Sequence, residues 1–267
     1  MIMKQRILSQ LSPKYPWKDH FHWFDEIDST NDQLRAMARQ GAPHGTVLIA
    51  DRQTGGHGRR GRRFLSPGGV GIYLSMLLRP NCSPMELMHL TCATAVAMCD
   101  AVEASVGFRP GIKWTNDLVY KKRKLGGILS ELGFTPQGKV DHAIIGIGIN
   151  CCQRQADFDP EIQTIAGSLS MMADAPVDRA KVAAAMMEAL QAMDSTLLTG
   201  KEAMLERYRA DCITLGQEIS LVRGEDIRHG LALTVDAEGA LVVQFPDGTV
   251  EAVNSGEVSV RGMYGYI

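Results

Sequence analysis

"RQTGGHGRRGRRF", residues 52–64, decides how the fold is read. Within it, "GHGRRG" (56–61) has the G-x-G-x-x-G spacing of a dinucleotide-binding turn. That turn runs from a strand into a helix, whose N-terminus receives the phosphates. Here the lead-in is "GTVLIAD" (45–51), a short run rich in β-branched residues that reads as a buried strand. The exit is "GVGIYLSMLLRP" (69–80), which reads as a second strand of the same sheet. The stretch is therefore not a dinucleotide fingerprint. It is not a Walker A loop either, because no G-K-[ST] follows at the required spacing. What remains is a loop of four glycines and five arginines between two strands. Glycines admit a ligand close to the backbone amides, and arginines neutralise its charge with forked hydrogen bonds. Such a loop suits a phosphate, a carboxylate or both. Its residues alone are equally compatible with a solvated basic loop or a nucleic-acid patch.

Upstream, "FHWFDEI" (21–27) reads as a strand and "DSTNDQLRAMARQG" as a helix, capped by Ser29 or Thr30 and stopped by Gly41. Downstream, residues 84–107 are apolar at helical spacing and are expected to pack in the core. "GIKWTNDLVY" and "KLGGILSELGF" read as strands joined across the basic "KKRK" turn, and "KVDHAIIGIGINCC" as a further strand. A helix over about 177–197 turns Val182, Met186, Leu190 and Met193 inward over the sheet. From about 213, short alternating strands separated by "DAEG" and "PDG" turns suggest a small barrel-like β domain, with "TVEAVNSGEVSV" as its last strand. Periodicity gives an α/β class and no more.

The chain's 28 basic and 30 acidic residues leave a formal charge of -2, so any attraction to polyanions must be local. No uninterrupted apolar run reaches the roughly 18 residues of a bilayer span, and the first 20 residues lack a signal-peptide core. The expected location is cytoplasmic. The six cysteines show no C-x-x-C and no zinc-like spacing with the seven histidines, so reduced thiols are expected.

Two further clusters can carry chemistry. In "KWTNDLVYKKRKLGGILSEL" (113–132), Asp117 could ligate magnesium and Asn116 could meet a phosphate or a base, although Asn-Asp also simply makes turns. Lys124 precedes two glycines, which permit close approach on a strand. "GIGIN" (146–150) places glycines on a strand, for a ligand or for tight packing.

Taken in order, "DSTND", "QTGGHGRRGRRF", "KWTND", "KLGGIL" and "GIGIN" resemble the successive motifs of biotin protein ligases over residues 22–152. The tail resembles that family's SH3-like C-terminal domain. The resemblance implies a mixed β-sheet flanked by helices, of the class II synthetase-like type, in a catalytic domain over 1–212. A small SH3-like β-barrel over 213–267 would follow it. It implies ATP and biotin as substrates, Mg²⁺ as cofactor, and a biotin carboxyl carrier domain with an acceptor lysine as partner. Ser29, Thr30, Gln53, Gly56 and His57 would meet biotin, and Gly127 and Gly146 would leave it room. Arg59 would hold its carboxylate and later the adenylate phosphate, and Lys124 would reach the reacting oxygens. Arg60, Arg62, Phe64, Asn116 and Asn150 would serve the nucleotide, and Asp117 the metal.

The sequence departs from the family at three positions. His57 stands where Arg or Lys is usual, Thr115 replaces a common proline, and Phe64 replaces a common tryptophan. Only 28 residues precede Ser29, too few for the winged-helix repressor domain of bifunctional members, so no DNA binding is expected. A homodimer fits the resemblance. A lipoate–protein ligase shares the fold and the adenylation logic and is the alternative.

Overall fold

The computed structural model describes residues 2–223, 226–254 and 259–262. A seven-stranded mixed sheet organises the larger part. Its strands are β1 (Phe21–Ile27), β2 (Thr46–Gln53), β3 (Gly71–Leu78), β4 (Gly111–Lys113), β5 (Asp117–Tyr120), β6 (Arg123–Phe134) and β7 (Val140–Asn150). They lie in the order β1-β2-β3-β7-β6-β5-β4. β1 and β2 run parallel; the other neighbours in this sheet are antiparallel, with β4, β5, β6 and β7 joined in turn by short hairpin connections.

Side-chain alternation sorts the two faces. Ile145, Ile147 and Ile149 of β7 enter the main core with Ile72, Leu74 and Met76 of β3. That face is covered by α3 (Leu90–Val106) and α5 (Arg179–Thr196), with α1 (Ile2–Gln10) packed against α5. Ile144, Leu77 and Leu48 point to the other face and meet Leu34 and Ala38 of α2 (Thr30–Arg39). The one-residue offset between the two sets is the strand period of two. The α2 face, lightly covered, is where most of the residues singled out from the sequence gather.

Val182, Met186, Leu190 and Met193 are buried, as their spacing predicts. The 84–107 stretch is not one helix. Pro84–Leu87 forms a 3-10 turn with a Ser83–Glu86 capping box, and α3 begins after the buried His89, whose Nε2 donates to Leu197 O at 2.9 Å. Taken together, Pro84–Val106 is long and apolar enough to cross a bilayer by composition, but 72% of its apolar 18-residue window is buried, so the segment belongs to the core. Nor is "GIKWTNDLVY" one strand. The chain turns at 114–116, so β4 and β5 pair with each other, and the Trp114–Thr115 peptide is cis. Lys121 and Lys122, both at positive φ, make the tight turn into β6. The short α4 (Leu169–Met172) and α6 (Lys201–Asp211) complete this part; α6 buries only Leu205 and Tyr208, so it carries little apolar periodicity.

The second sheet holds β8 (Glu218–Arg223), β9 (Asp226–Val235), β10 (Leu241–Gln244), β11 (Val250–Val253) and β12 (Ser259–Gly262) in the order β11-β10-β9-β8-β12. "TVEAVNSGEVSV" is thus two strands, and its residues 255–258 lie outside the described residues. The two sheets are joined by backbone-directed bonds: Trp114 Nε1 donates to Gly239 O at 3.0 Å and Arg209 Nε to Val235 O at 2.8 Å.

Trp114→Phe removes the first of these and leaves a buried carbonyl unsatisfied, which costs about 1–3 kcal/mol. Chemical denaturation followed by circular dichroism should show an earlier midpoint. An unchanged midpoint would mean the two sheets do not rely on that contact.

Candidate functional site

The α2 face carries a cavity of about 260 Å³ lined by residues from α2, the arginine loop, the β4–β5 turn, β6 and β7. Its floor is glycine. At Gly146 any side chain would collide with the Asn31 amide, and at Gly148 with the Phe64 ring. The two glycines of "GIGIN" therefore seat one side chain from the α2 end and one from the loop. Gly146 does line the cavity, but much of the room it leaves is taken by Asn31.

At one end, α2 opens with Ser29 as its cap, Oγ accepting from Asp32 N at 3.4 Å. The structure thus chooses Ser29 over Thr30. Gln53, at the end of β2, accepts from Thr30 N at 2.8 Å and lies 2.9 Å from Thr30 Oγ1. Its Nε2 donates to Ser66 Oγ at 3.0 Å. Ser29 and Thr30 are both buried, so this end is a pre-bonded polar cluster.

At the other end the arginine loop folds back on itself. His57 bridges Arg63, Gly58 N donates to Arg62 O at 2.7 Å and Phe64 N to Gly56 O at 2.9 Å. Residues 59–61 form a 3-10 turn with Arg60 at φ 58, a region that costs a non-glycine residue energy and that Gly61 shares at φ 69. Arg59 Nη1 donates to Asn116 Oδ1 at 2.9 Å, and Asn116 Nδ2 donates to Ile128 O at 3.0 Å, which ties the loop to the β4–β5 turn. Burial holds the Arg59 guanidinium below its usual range, partly offset by Asp117. Lys124 Nζ sits 2.7 Å from Asp117 Oδ1, and its backbone is clamped between Ile165 and Gly167. Asp117 is the one carboxylate among the described residues that line the cavity.

Thirteen of the fifteen residues singled out from the sequence line this cavity: Ser29, Thr30, Gln53, His57, Arg59, Arg60, Arg62, Phe64, Asn116, Asp117, Lys124, Gly127 and Gly146. Gly56 does not. It is buried beneath the loop, where an added Cβ would stand 2.6 Å from Phe64 O and from Ser66 Oγ. Asn150 does not either; its Nδ2 donates to Gly167 O at 3.0 Å and its Oδ1 accepts from Gln153 at 3.2 Å. Placed at the last position of β7, it ties down the segment that clamps Lys124. Sequence reasoning missed Asn31, Lys113 and Trp114, which also line the cavity. The signal for Asn31 is Ser75, a lone polar residue in the apolar run of β3, which needs a partner on the α2 face. All six cysteines are free, and burial pushes the Cys151 thiol well up, away from the reactive thiolate.

Residues 23–150 match the Biotin/lipoate A/B protein ligase family, and residues 214–261 match the Biotin protein ligase C terminal domain. The chain is similar to the bifunctional ligase/repressor BirA of Bacillus subtilis, at 31% identity over 90% of this chain and 74% of that protein. It is similar to the biotin–[acetyl-CoA-carboxylase] ligase of Mycobacterium tuberculosis at 32% identity, over 87% of this chain and 86% of the relative. A solved structure of biotin protein ligase from Aquifex aeolicus, in complex with biotin and ATP, superposes with a TM-score of 0.75 at 29% identity. It covers 91% of this chain and 98% of that one.

The loop geometry separates two glycines. Gly56→Ala should force the hairpin-like loop open at a cost of about 1–3 kcal/mol, with faster amide exchange over 57–64. Gly58→Ala, whose Cβ would sit 3.7 Å from Arg62 O, should stay within about 0.5 kcal/mol of the wild type. Equal exchange in the two variants would contradict this packing.

Proposed function

Because the chain belongs to the biotin protein ligase family, we propose that it activates biotin with ATP and transfers it to a lysine of a carrier domain. In the first step a biotin carboxylate oxygen bonds to the α-phosphorus of ATP. The bridge to the β-phosphate breaks, giving biotinyl-5′-AMP and pyrophosphate. In the second, the ε-amine of the carrier lysine attacks the carbonyl carbon of the mixed anhydride, and AMP leaves.

The observation that carries this reading is the polarity of one cavity. A prebonded Thr30–Gln53 cluster stands at one end, and Arg59 and Lys124 line the same cavity beyond the glycine floor. The polar end suits a cyclic urea, which both donates and accepts hydrogen bonds. The dithiolane of lipoate does neither, and such a cluster would be left unmatched by it. The cationic end suits two anions that must touch. A carboxylate against a triphosphate opposes like charges, and fixed positive groups lower that barrier without reorganising. Little covalent help is required, so positioning dominates.

Within this reading Arg59 binds the biotin carboxylate and then the adenylate phosphate. Its bond to Asn116 fixes the guanidinium before substrate arrives. Lys124 directs its ammonium to the reacting oxygens, with Asp117 holding the side chain from behind. Phe64 offers a ring face for adenine, lodged over Gly148. Magnesium commonly binds through one or two carboxylates together with phosphate oxygens. Asp117, one carboxylate in a cavity otherwise rich in cations, fits that donor pattern. A bound Mg²⁺ would neutralise phosphate charge there.

Incubation with ATP, a biotin carrier domain and either biotin or lipoate tests the function; a carrier modified only by lipoate sinks it. Arg59→Ala should lower the adenylation rate by about 100-fold, the scale of one lost transition-state donor, or release biotinyl-AMP into solution. Lys124→Ala should slow the same step and leave the protein folded, at a cost of about 1–3 kcal/mol for the mostly buried Asp117 carboxylate that loses this partner. Pyrophosphate exchange measures both. Wild-type rates in either variant would move the reacting groups elsewhere.

A further inference from the structure

Behind the Thr30–Gln53 cluster lies a row of oxygens that the reaction chemistry does not account for. Ser75, fully buried on β3, places its Oγ 2.5 Å from Asn31 Oδ1 and 2.7 Å from Thr30 Oγ1. Thr30 Oγ1 in turn lies 2.9 Å from Gln53 Oε1. The row therefore reads Asn31 O, Ser75 OH, Thr30 OH, Gln53 O, with three close contacts.

The orientation of each end is fixed. Gln53 must present its oxygen, because it accepts Thr30 N–H at 2.8 Å. Asn31 must present its oxygen to Ser75, because its Nδ2 donates to Glu131 Oε2 at 2.8 Å. Glu131 is committed as an acceptor by Arg35, whose Nη2 donates to Oε1 at 2.6 Å, and Arg35 also pairs with Asp32. Two carbonyl oxygens that only accept thus bracket two hydroxyls that carry one proton each. Three contacts share two protons. Ser75 is sealed from the cavity, whereas Thr30, Asn31 and Gln53 line it, so the missing donor can reach the row only from the cavity.

We propose that Glu131 is a positioning residue: paired to Arg35, it sets the Asn31 amide so that the Asn31–Ser75–Thr30–Gln53 row lacks one proton, which a cyclic-urea N–H supplies. The inference rests on the reading of the cavity as a biotin site. It assigns the selection of the head group to a pair that touches no substrate. The ion pair holds the amide, the amide takes the Ser75 proton, and the starved oxygens face the ligand. An unpaired acceptor discriminates strongly, since a ligand without the N–H leaves it buried and unmet.

Glu131→Gln tests the chain of cause. A glutamine can offer its own N–H₂ to Asn31, which lets the Asn31 amide turn over and donate to Ser75. The row is then complete without ligand. The KM for biotin should rise roughly tenfold, the scale of one lost hydrogen bond. The kcat at saturating biotin and the KM for ATP should hold, and the thermal midpoint should be no lower than the wild type. A merely structural role for Glu131 predicts the reverse: lower stability with no split between KM and kcat. The ligand gives a second readout. In the two cyclic carbamates that replace one or the other ureido N–H by oxygen, one should bind the wild-type protein roughly tenfold more weakly than biotin, and that penalty should shrink in the variant. An unchanged KM for biotin in Glu131→Gln, or equal carbamate penalties in both proteins, overturns the inference. If the variant does not fold, the wild-type protein decides: tight binding of both carbamates overturns it. A wild-type protein that transfers no biotin at all removes the proposed function instead.

Discussion

The site depends on one constraint of strand geometry. Along β7 isoleucines at 145, 147 and 149 enter the main core, which forces residues 146 and 148 onto the opposite face. Both are glycine, and both must be. Asn31 lies where a side chain at 146 would stand, and Phe64 where one at 148 would stand. The same strand thus anchors the fold with one face and strips the other bare. Neighbouring β6 repeats the device at Gly127, which stands opposite Gly148 and lines the same cavity, with Asp117 and Lys124 over it. A pocket on a flat sheet needs such a floor, because alternation would otherwise fill it with apolar side chains.

From that floor the remaining parts are held by directed bonds more than by apolar burial. The arginine loop is mostly exposed and has little core of its own, yet it is fixed at both ends. Gln53 pairs with Ser66 at its base, and Arg59 reaches Asn116 at its tip. Asn116 is fixed in turn by Ile128 on both its backbone and its side chain. Trp114, two residues before Asn116, lines the cavity and bonds to Gly239 in the second sheet. The C-terminal strands are therefore connected to the turn that holds Arg59 both by these bonds and by the apolar core that Trp114 shares with Ile219, Ala232 and Leu241.

How far the sequence could lead follows from where periodicity carries information. β1, β2, β3, β6 and β7 were legible because apolar residues there alternate or run together, and glycines punctuate them. The turn at 114–116 was not, since Trp114, Thr115 and Asn116 are compatible with a strand and only the pairing of β4 with β5 reveals the break. α6 was hidden by its own polarity: a helix that buries Leu205 and Tyr208 alone looks like a linker. The arginine loop, Lys124 and Asp117 were legible by residue type, because cations and a carboxylate beside glycines imply anion chemistry. Asn150 and Gly56 stand outside the cavity lining for a related reason. Proximity in sequence to a cavity-lining glycine does not say which side of the backbone faces the cavity. Asn31 and Glu131 escaped because a polar residue in the first turn of a helix and an acidic one on a strand read as solvated. Their meaning lies in a contact 100 residues apart.

A slightly acidic chain carrying a cluster of arginines also makes sense on charge grounds. The formal charge of -2 gives no long-range pull toward polyanions, so the positive field is confined to the cavity and its loop. Within it, Arg59, Arg60, Arg62, Arg63, Lys113 and Lys124 face a single carboxylate, Asp117. Concentrating that much like charge opposes folding of the loop, and Asp117 offsets part of it at Arg59 while the Asn116 amide holds the guanidinium. An Asp in place of Asn116 would bind Arg59 more strongly but would cancel more of the cavity's positive field. Asn116 holds the guanidinium in place without adding a negative charge, whereas Asp117 steadies the more flexible ammonium of Lys124 at the cost of part of its field. The two adjacent residues of "ND" therefore act in different ways on their cations. Asn116 positions one without neutralising it, and Asp117 balances one that would otherwise be too mobile to aim.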